Sequence, residues 1–186
     1  MRDLIFSAAA LASLALAPAA LAQDASDTDS TSMSVVGSVP LLCSTGAVSG
    51  GGTFDFGVLI DTTTGLLRTD LSAPDQVLSG GFCNARSTIS VAATAMIAQN
   101  YLATPPTGFS RSIDFTATAS GWSPQPAVTN TAEQANSEAL QARDDAFTGD
   151  ITVSVTGLAT TGGDTLRPVA DGEYRGTVVV TLAAQD

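Results

Sequence analysis

The 186-residue chain contains no histidine and no lysine. Without histidine there is no Ser–His–Asp or Cys–His catalytic unit, and a zinc site lacks its commonest nitrogen ligand. Without lysine there is no Schiff-base chemistry and no P-loop ammonium group. The reactive groups that remain are mainly carboxylates and hydroxyls.

Positive charge is scarce, because seven Arg stand against 18 Asp and Glu and give a formal net charge of −11. Nucleic acids and anionic membranes are bound by Lys- and Arg-rich surfaces, so neither is expected as a partner. A glycosidase needs two facing carboxylates, but most Asp residues here fall in predicted turns, which Asp favours for its own reasons. We therefore predict a protein that is not an enzyme and that holds no cofactor or metal.

The first 22 residues have the pattern of a secretory signal peptide. Arg2 precedes an apolar stretch over residues 4–17, and a small-x-small cleavage site ends at Ala22. No later stretch approaches the roughly 18 apolar residues of a membrane span. We expect export through the inner membrane, cleavage before Gln23 and no membrane span in the mature protein.

Residues 23–32 carry three Asp and no large apolar side chain, so they are predicted to form a flexible acidic leader. Cys43 and Cys83 are the two cysteines of the chain. An even number of cysteines in an exported protein favours a disulfide, and two cysteines without histidine are too few for a structural zinc site. We predict a Cys43–Cys83 bond.

From residue 33 onwards, short segments alternate apolar and polar residues and are separated by Gly, Pro and Asp turn signals. This spacing predicts a single all-β domain over residues 33–186, an antiparallel β-sandwich of about seven strands, with a β-barrel as the alternative. Residues 131–143 have the best helical propensity, but their weak apolar spacing predicts no more than a short surface helix. The predicted strands are 33–43, 53–58, 76–83, 89–97, 113–118, 151–155 and 173–184.

Three motifs carry a family resemblance. The strand VVGSVPLLC (35–43) bears the first cysteine, FDFGVL (54–59) contains a Phe-Gly pair, and DGEYRGTVVVTLAA (171–184) ends the chain with a Gly-x-Tyr strand. With the signal peptide and the 40-residue cysteine spacing, these motifs resemble the pilin subunits of archaic chaperone–usher pili, the spore coat protein U-like family.

The resemblance implies an immunoglobulin-like sandwich that lacks its final strand. A periplasmic chaperone would first fill the resulting groove, and the N-terminal segment of a neighbouring pilin subunit would then replace the chaperone strand at the outer-membrane usher. The affinity of such strand addition comes from main-chain hydrogen bonds and from side chains that fill alternate pockets. The implied function is that of a structural subunit of a surface fibre, a pilus or fimbria, which passes through the periplasm to the cell surface.

Residues 33–41, the donor segment, present Met33, Val35, Val39 and Leu41 on one face. Two roles stay open for this segment, either as the subunit's own first strand or as the strand donated to a neighbour. The leader is not a suitable donor, because its Asp side chains would enter apolar pockets. The groove is expected to be lined partly by Val178, Val180 and Leu182.

A second function remains open at the level of the sequence. The chain could be a self-contained secreted or periplasmic β-sandwich that binds a ligand or glycan. Trp122 and the irregular stretch 120–145 would then supply the contact, since an exposed tryptophan can stack on a sugar.

Overall fold

The computed structural model of the protein describes residues 30–185. The predicted signal peptide and most of the predicted leader lie outside them. The chain divides into two units, Met1–Ser38 and Val39–Asp186. In the first unit, the described residues 30–38 contain no strand.

The second unit is all-β, as predicted, and no helix occurs in the part of it that the structure describes. Its strands alternate buried and exposed positions along most of their length, which is the period of a half-buried sheet. The strands are β1 (Cys43–Ser44), β2 (Ala47–Ser49), β3 (Gln76–Cys83), β4 (Ser87–Ala98), β5 (Phe109–Ser110), β6 (Ser112–Ser120), β7 (Ala127–Asn130), β8 (Leu140–Arg143), β9 (Phe147–Thr160), β10 (Arg167–Pro168) and β11 (Tyr174–Ala184).

One antiparallel sheet runs in the order β1-β3-β9-β6-β4-β11, and it curls until Cα atoms of its end strands β1 and β11 lie within 8 Å. β4 pairs with β8 over residues 87–90 but with β6 only at residues 96–97. Residues 116–119 of β6 pair with β7 instead. β4 and β6 thus diverge, with β8 beside β4 and β7 beside β6, and the sheet folds into the layers of the predicted sandwich. β5 and β10 form a small second sheet.

The core lies between these layers. Its largest fully buried side chains include Trp122, Ile89, Ile113 and Ile151. Each isoleucine belongs to a predicted strand, and β-branched side chains favour the pleated surface of a sheet. The alternation of the sequence therefore identified the buried face of β4, β6 and β9 at these positions.

A β-bulge changes the phase of alternation within β4. Ile89 and Val91 are buried, as the alternation predicts, but Met96 is buried where Ile97 was expected, and Ile97 is 39% exposed. The register of β11 against β4 shifts between Arg175 and Thr177, so β4 carries one extra residue there. Gly176 allows this close approach, because a Cβ at that position would lie 2.6 Å from the Thr94 carbonyl oxygen.

The first two predicted strands are not formed as predicted. Of residues 33–43, only Cys43 belongs to a strand, and residues 53–58 contain none. Pro40 lacks the N–H that a ladder requires. Phe54 and Phe56 do alternate inward, but no strand pairs with their backbone.

Residues 131–143, where the sequence allowed at most a short surface helix, form a turn followed by β8. Asn136 holds the turn, because its Oδ1 accepts a hydrogen bond from the Asn130 N–H at 2.7 Å and its Nδ2 donates to the Asn130 carbonyl at 3.2 Å. Asn side chains compete in this way with helical hydrogen bonds. Helical propensity was thus outweighed by a local turn.

The Cys43–Cys83 disulfide is confirmed. The two residues are direct partners in the antiparallel pair of β1 and β3, with their Cα atoms 4.2 Å apart. Such close opposition is typical of a pair that does not exchange backbone hydrogen bonds. The bond fixes the two-residue strand β1 to the end of the sheet.

Candidate functional site

The free edge of β11 is the first wall of an open cleft. Within the described residues β11 pairs with β4 and with no strand on its other side. Alternate N–H and C=O groups of an edge strand point away from the sheet and can accept another strand. The predicted groove residues Val178, Val180 and Leu182 are half-buried on β11 and pack against the core.

The second wall is the extended stretch 53–59. Gln76, which is buried at the start of β3, holds its beginning: Gln76 Oε1 accepts from the Gly52 N–H at 3.1 Å, and Nε2 donates to the Thr53 carbonyl at 3.0 Å. Residues 54–57 make no backbone-to-backbone hydrogen bond in the structure as described. Both walls of the cleft therefore have backbone groups without strand partners.

Between these walls lie two adjoining hollows of about 660 and 960 Å³, which share Phe54, Asp55, Phe56, Met96, Glu173 and Tyr174. We call them together the edge cleft. Met96, Phe115 and Val155 line the smaller hollow, and all three belong to the core. The edge cleft thus opens onto the interior of the sandwich between β4, β6 and β9.

Asp171 organises one end of the edge cleft. Its carboxylate accepts hydrogen bonds from the backbone N–H groups of Asn100, Tyr101 and Glu173 and from the Asn100 side chain. These donors, the Asn100 side chain above all, lower the pKa of Asp171 to about 2. Nearby, the Tyr174 hydroxyl donates to the Val169 carbonyl at 2.8 Å, and burial raises the pKa of that phenol.

Asp61 likewise accepts several hydrogen bonds, in the turn that follows the second wall. Its Oδ1 accepts from the Thr63 hydroxyl and from the N–H groups of Thr63 and Thr64, and these bonds lower its pKa to about 2. Asp61 also exchanges backbone bonds with Gly65 and Leu66, which closes the turn. Both turns that border the edge cleft are therefore tied by ionised carboxylates.

The lowered pKa values of Asp61 and Asp171 determine how the stability of the two turns depends on pH. In the folded protein the pKa of each carboxyl lies below the usual value of 3.8. The contribution of the two ionised side chains to the free energy of unfolding is therefore complete above about pH 4 and is lost as the pH falls towards 2. We expect the carboxyl ¹³C signals of Asp61 and Asp171 to titrate near pH 2 in the native protein. Midpoints near pH 4 would show that the hydrogen-bonded turns do not form.

The donor segment lies exposed in the described structure. Met33 is 85%, Val35 97% and Val39 86% exposed, whereas Leu41 is 48% exposed. Residues 30–42 carry no charge. Large apolar side chains that are exposed together in this way are a feature of interaction sites.

Trp122 belongs to the core and is fully buried. Its ring centroid lies 4.1 Å from that of Phe147, and Arg143 Nη1 donates to its carbonyl oxygen at 2.7 Å. A ring in this position offers no face to a sugar. Trp122 therefore does not supply the aromatic contact suggested for ligand binding.

Sequence reasoning identified only part of the cleft. Of the three predicted groove residues, Val178 lines the smaller hollow, whereas Val180 and Leu182 line neither hollow. Sequence reasoning also missed five lining residues, Phe54, Phe56, Met96, Phe115 and Val155. The alternation of Phe54 and Phe56 around Asp55 was a usable signal, since alternate apolar side chains of an extended segment lie on one face. Met96 could not be found in this way, because the bulge in β4 reverses the side to which it points.

The described residues contain no cluster of three or more side chains able to hold a metal ion. Nor does any helix among them have the length and apolarity needed to cross a membrane. No family model matches the chain, and no curated protein or solved structure resembles it significantly.

Proposed function

We propose that the protein is a structural subunit of a surface fibre and that it assembles by donating a strand to a second copy of itself. The observation that carries this proposal is the edge cleft. It exposes core side chains between two walls whose backbone groups have no strand partner. A complete sandwich would close this gap with a strand of its own.

The donor segment of another subunit suits the cleft in three respects. It is uncharged, it is exposed, and its apolar side chains alternate as those of a strand with one buried face must. Entering the cleft would give it main-chain partners on β11 and apolar contacts with Met96 and Phe115. Apolar surface would leave water on both molecules, which favours association.

The same cleft explains the other partners in this proposal. An apolar edge left open during export would pair with other edges and aggregate. A periplasmic chaperone that lends a strand would prevent this, and an outer-membrane usher would exchange that strand for the donor segment of the next subunit. The subunit would then reside first in the periplasm and finally in the fimbria, with no catalytic role.

Methionine methyl NMR tests the proposal, because the mature chain has only Met33 in the donor segment and Met96 in the cleft. The acceptor is the mature full-length chain with Val35→Asp and Val39→Asp, so that its own donor does not compete. A synthetic peptide of residues 30–41 should shift the Met96 signal in a saturable manner.

The matched control peptides differ by the face that carries the charge. A peptide with Val36→Asp should still shift Met96, because Val36 lies on the opposite face of the strand from Val35. A peptide with Val35→Asp and Val39→Asp should not. An unmoved Met96 signal at about 1 mM wild-type peptide would overturn the proposed function.

A further inference from the structure

Asn84 binds the chain at the point where the donor segment joins the sandwich. The Asn84 N–H donates to the Leu42 carbonyl at 3.1 Å, and the Leu42 N–H donates to Asn84 Oδ1 at 2.8 Å. Asn84 Nδ2 donates to the Pro40 carbonyl at 2.8 Å. A single residue thus makes three hydrogen bonds to the three-residue stretch 40–42.

The side-chain amide of Asn84 here substitutes for the backbone of a partner strand. It offers one acceptor and one donor to alternate residues, as a neighbouring strand would. Leu42 directly precedes Cys43, and Asn84 directly follows Cys83, so these bonds continue the β1–β3 pairing past the disulfide. Residues 40–42 are thereby held extended, in line with β1.

The direction of residues 40–42 affects whether the donor segment can enter the cleft of its own subunit or that of a second copy. Cys43 lies opposite Cys83 at the end of β3, whereas the cleft begins beside Gln76 at the start of β3. A chain that precedes Cys43 in line with β1 therefore leads away from the cleft, and entering the cleft of its own sandwich would require a reversal between Pro40 and Cys43. That reversal would break the three hydrogen bonds to Asn84. Entry of residues 33–39 into the cleft of a second copy requires no such reversal.

We infer that Asn84 is a positioning residue that keeps the donor segment out of the subunit's own cleft and so directs it to another subunit. The inference rests on the proposed function, since it assumes that the donor segment fits the edge cleft. It adds a determinant of polymerisation that lies outside both the donor segment and the cleft.

Removing the side chain tests this role in the full-length mature protein. With Asn84→Ala, residues 40–42 lose both side-chain hydrogen bonds and can reverse. We expect the fraction of closed monomer at low protein concentration to rise at least about fivefold and polymer yield to fall correspondingly. Closed monomer is recognised by shifted Met33 and Met96 methyl signals that do not depend on protein concentration.

A graded variant and a folding control make the result specific. Asn84→Asp keeps the acceptor for the Leu42 N–H but loses the donor to Pro40, so it should give an intermediate fraction of closed monomer. Absence of free thiols and an unchanged circular dichroism spectrum verify that each variant is folded.

The outcomes separate this inference from the proposed function. If the 30–41 peptide shifts Met96 in the acceptor chain but Asn84→Ala polymerises as the wild type does, the role of Asn84 is wrong and the strand exchange stands. If the peptide does not bind, the proposed function fails first.

Discussion

A chain that carries Val35→Asp and Val39→Asp is expected to remain monomeric under conditions in which the unsubstituted chain polymerises. Both side chains belong to the exposed apolar face of the donor segment. In the assembled fibre each Asp would leave water for an apolar cleft, at a cost of several kcal/mol per carboxylate. Since about 1.4 kcal/mol changes an equilibrium constant tenfold, subunit association should weaken by roughly a hundredfold or more.

Val36→Asp is the matched control for this experiment. It introduces the same charge one residue away, on the opposite face of the strand, where Val36 is 91% exposed. Size-exclusion chromatography with light scattering should show normal polymers for Val36→Asp and monomers for the double variant. Polymers of normal length from the double variant would rule out the donor segment as the connecting strand.

Replacing Cys43 and Cys83 by alanine is the second change with a large expected effect. The disulfide closes a loop of 40 residues. Chain-entropy arguments give such a crosslink about 4 kcal/mol of stabilisation. β1 has only two residues, so the noncovalent pairing that remains is too small to replace it.

Urea unfolding of the non-polymerising Val35→Asp, Val39→Asp chain measures this effect without interference from assembly. With a urea m-value of about 2 kcal/mol per molar, the midpoint should fall by roughly 2 M when the cysteines are replaced. Treating the cysteine-containing chain with a reductant should give the same shift. An unchanged midpoint would contradict the stabilising role of the bond.

The sequence predicted several strands well because their residues alternate and Gly, Pro and Asp turn signals bound them. β3, β6 and β11 match the predicted segments closely. The cysteine pair was also predictable, since each of the two cysteines has only the other as an intramolecular partner. In these cases the local pattern and the tertiary environment agree.

Other features depend on pairing that a sequence pattern does not reveal. Residues 33–42 alternate like a strand, yet no strand pairs with them in the described structure. The sequence pattern alone cannot distinguish a strand that is paired within the sheet from an extended segment that has no strand partner. The burial of Met96 depends on a bulge opposite Gly176, which a strict two-residue period cannot anticipate. No pattern in the sequence located the edge cleft; the family resemblance implied a groove along Val178, Val180 and Leu182, and of these Val178 lines the smaller hollow.

Mixing two complementary variants tests the central claim most directly. Val35→Asp, Val39→Asp has an inactive donor and an intact cleft, whereas Val178→Asp keeps the donor and places a charge in the smaller hollow of the cleft, which Val178 lines. After circular dichroism has shown that both variants are folded, each alone should be monomeric by native mass spectrometry. An equimolar mixture should form a one-to-one dimer and nothing larger, because only one donor–cleft pair is functional. A mixture that stays monomeric, or a Val178→Asp chain that polymerises alone, would contradict assembly through the edge cleft.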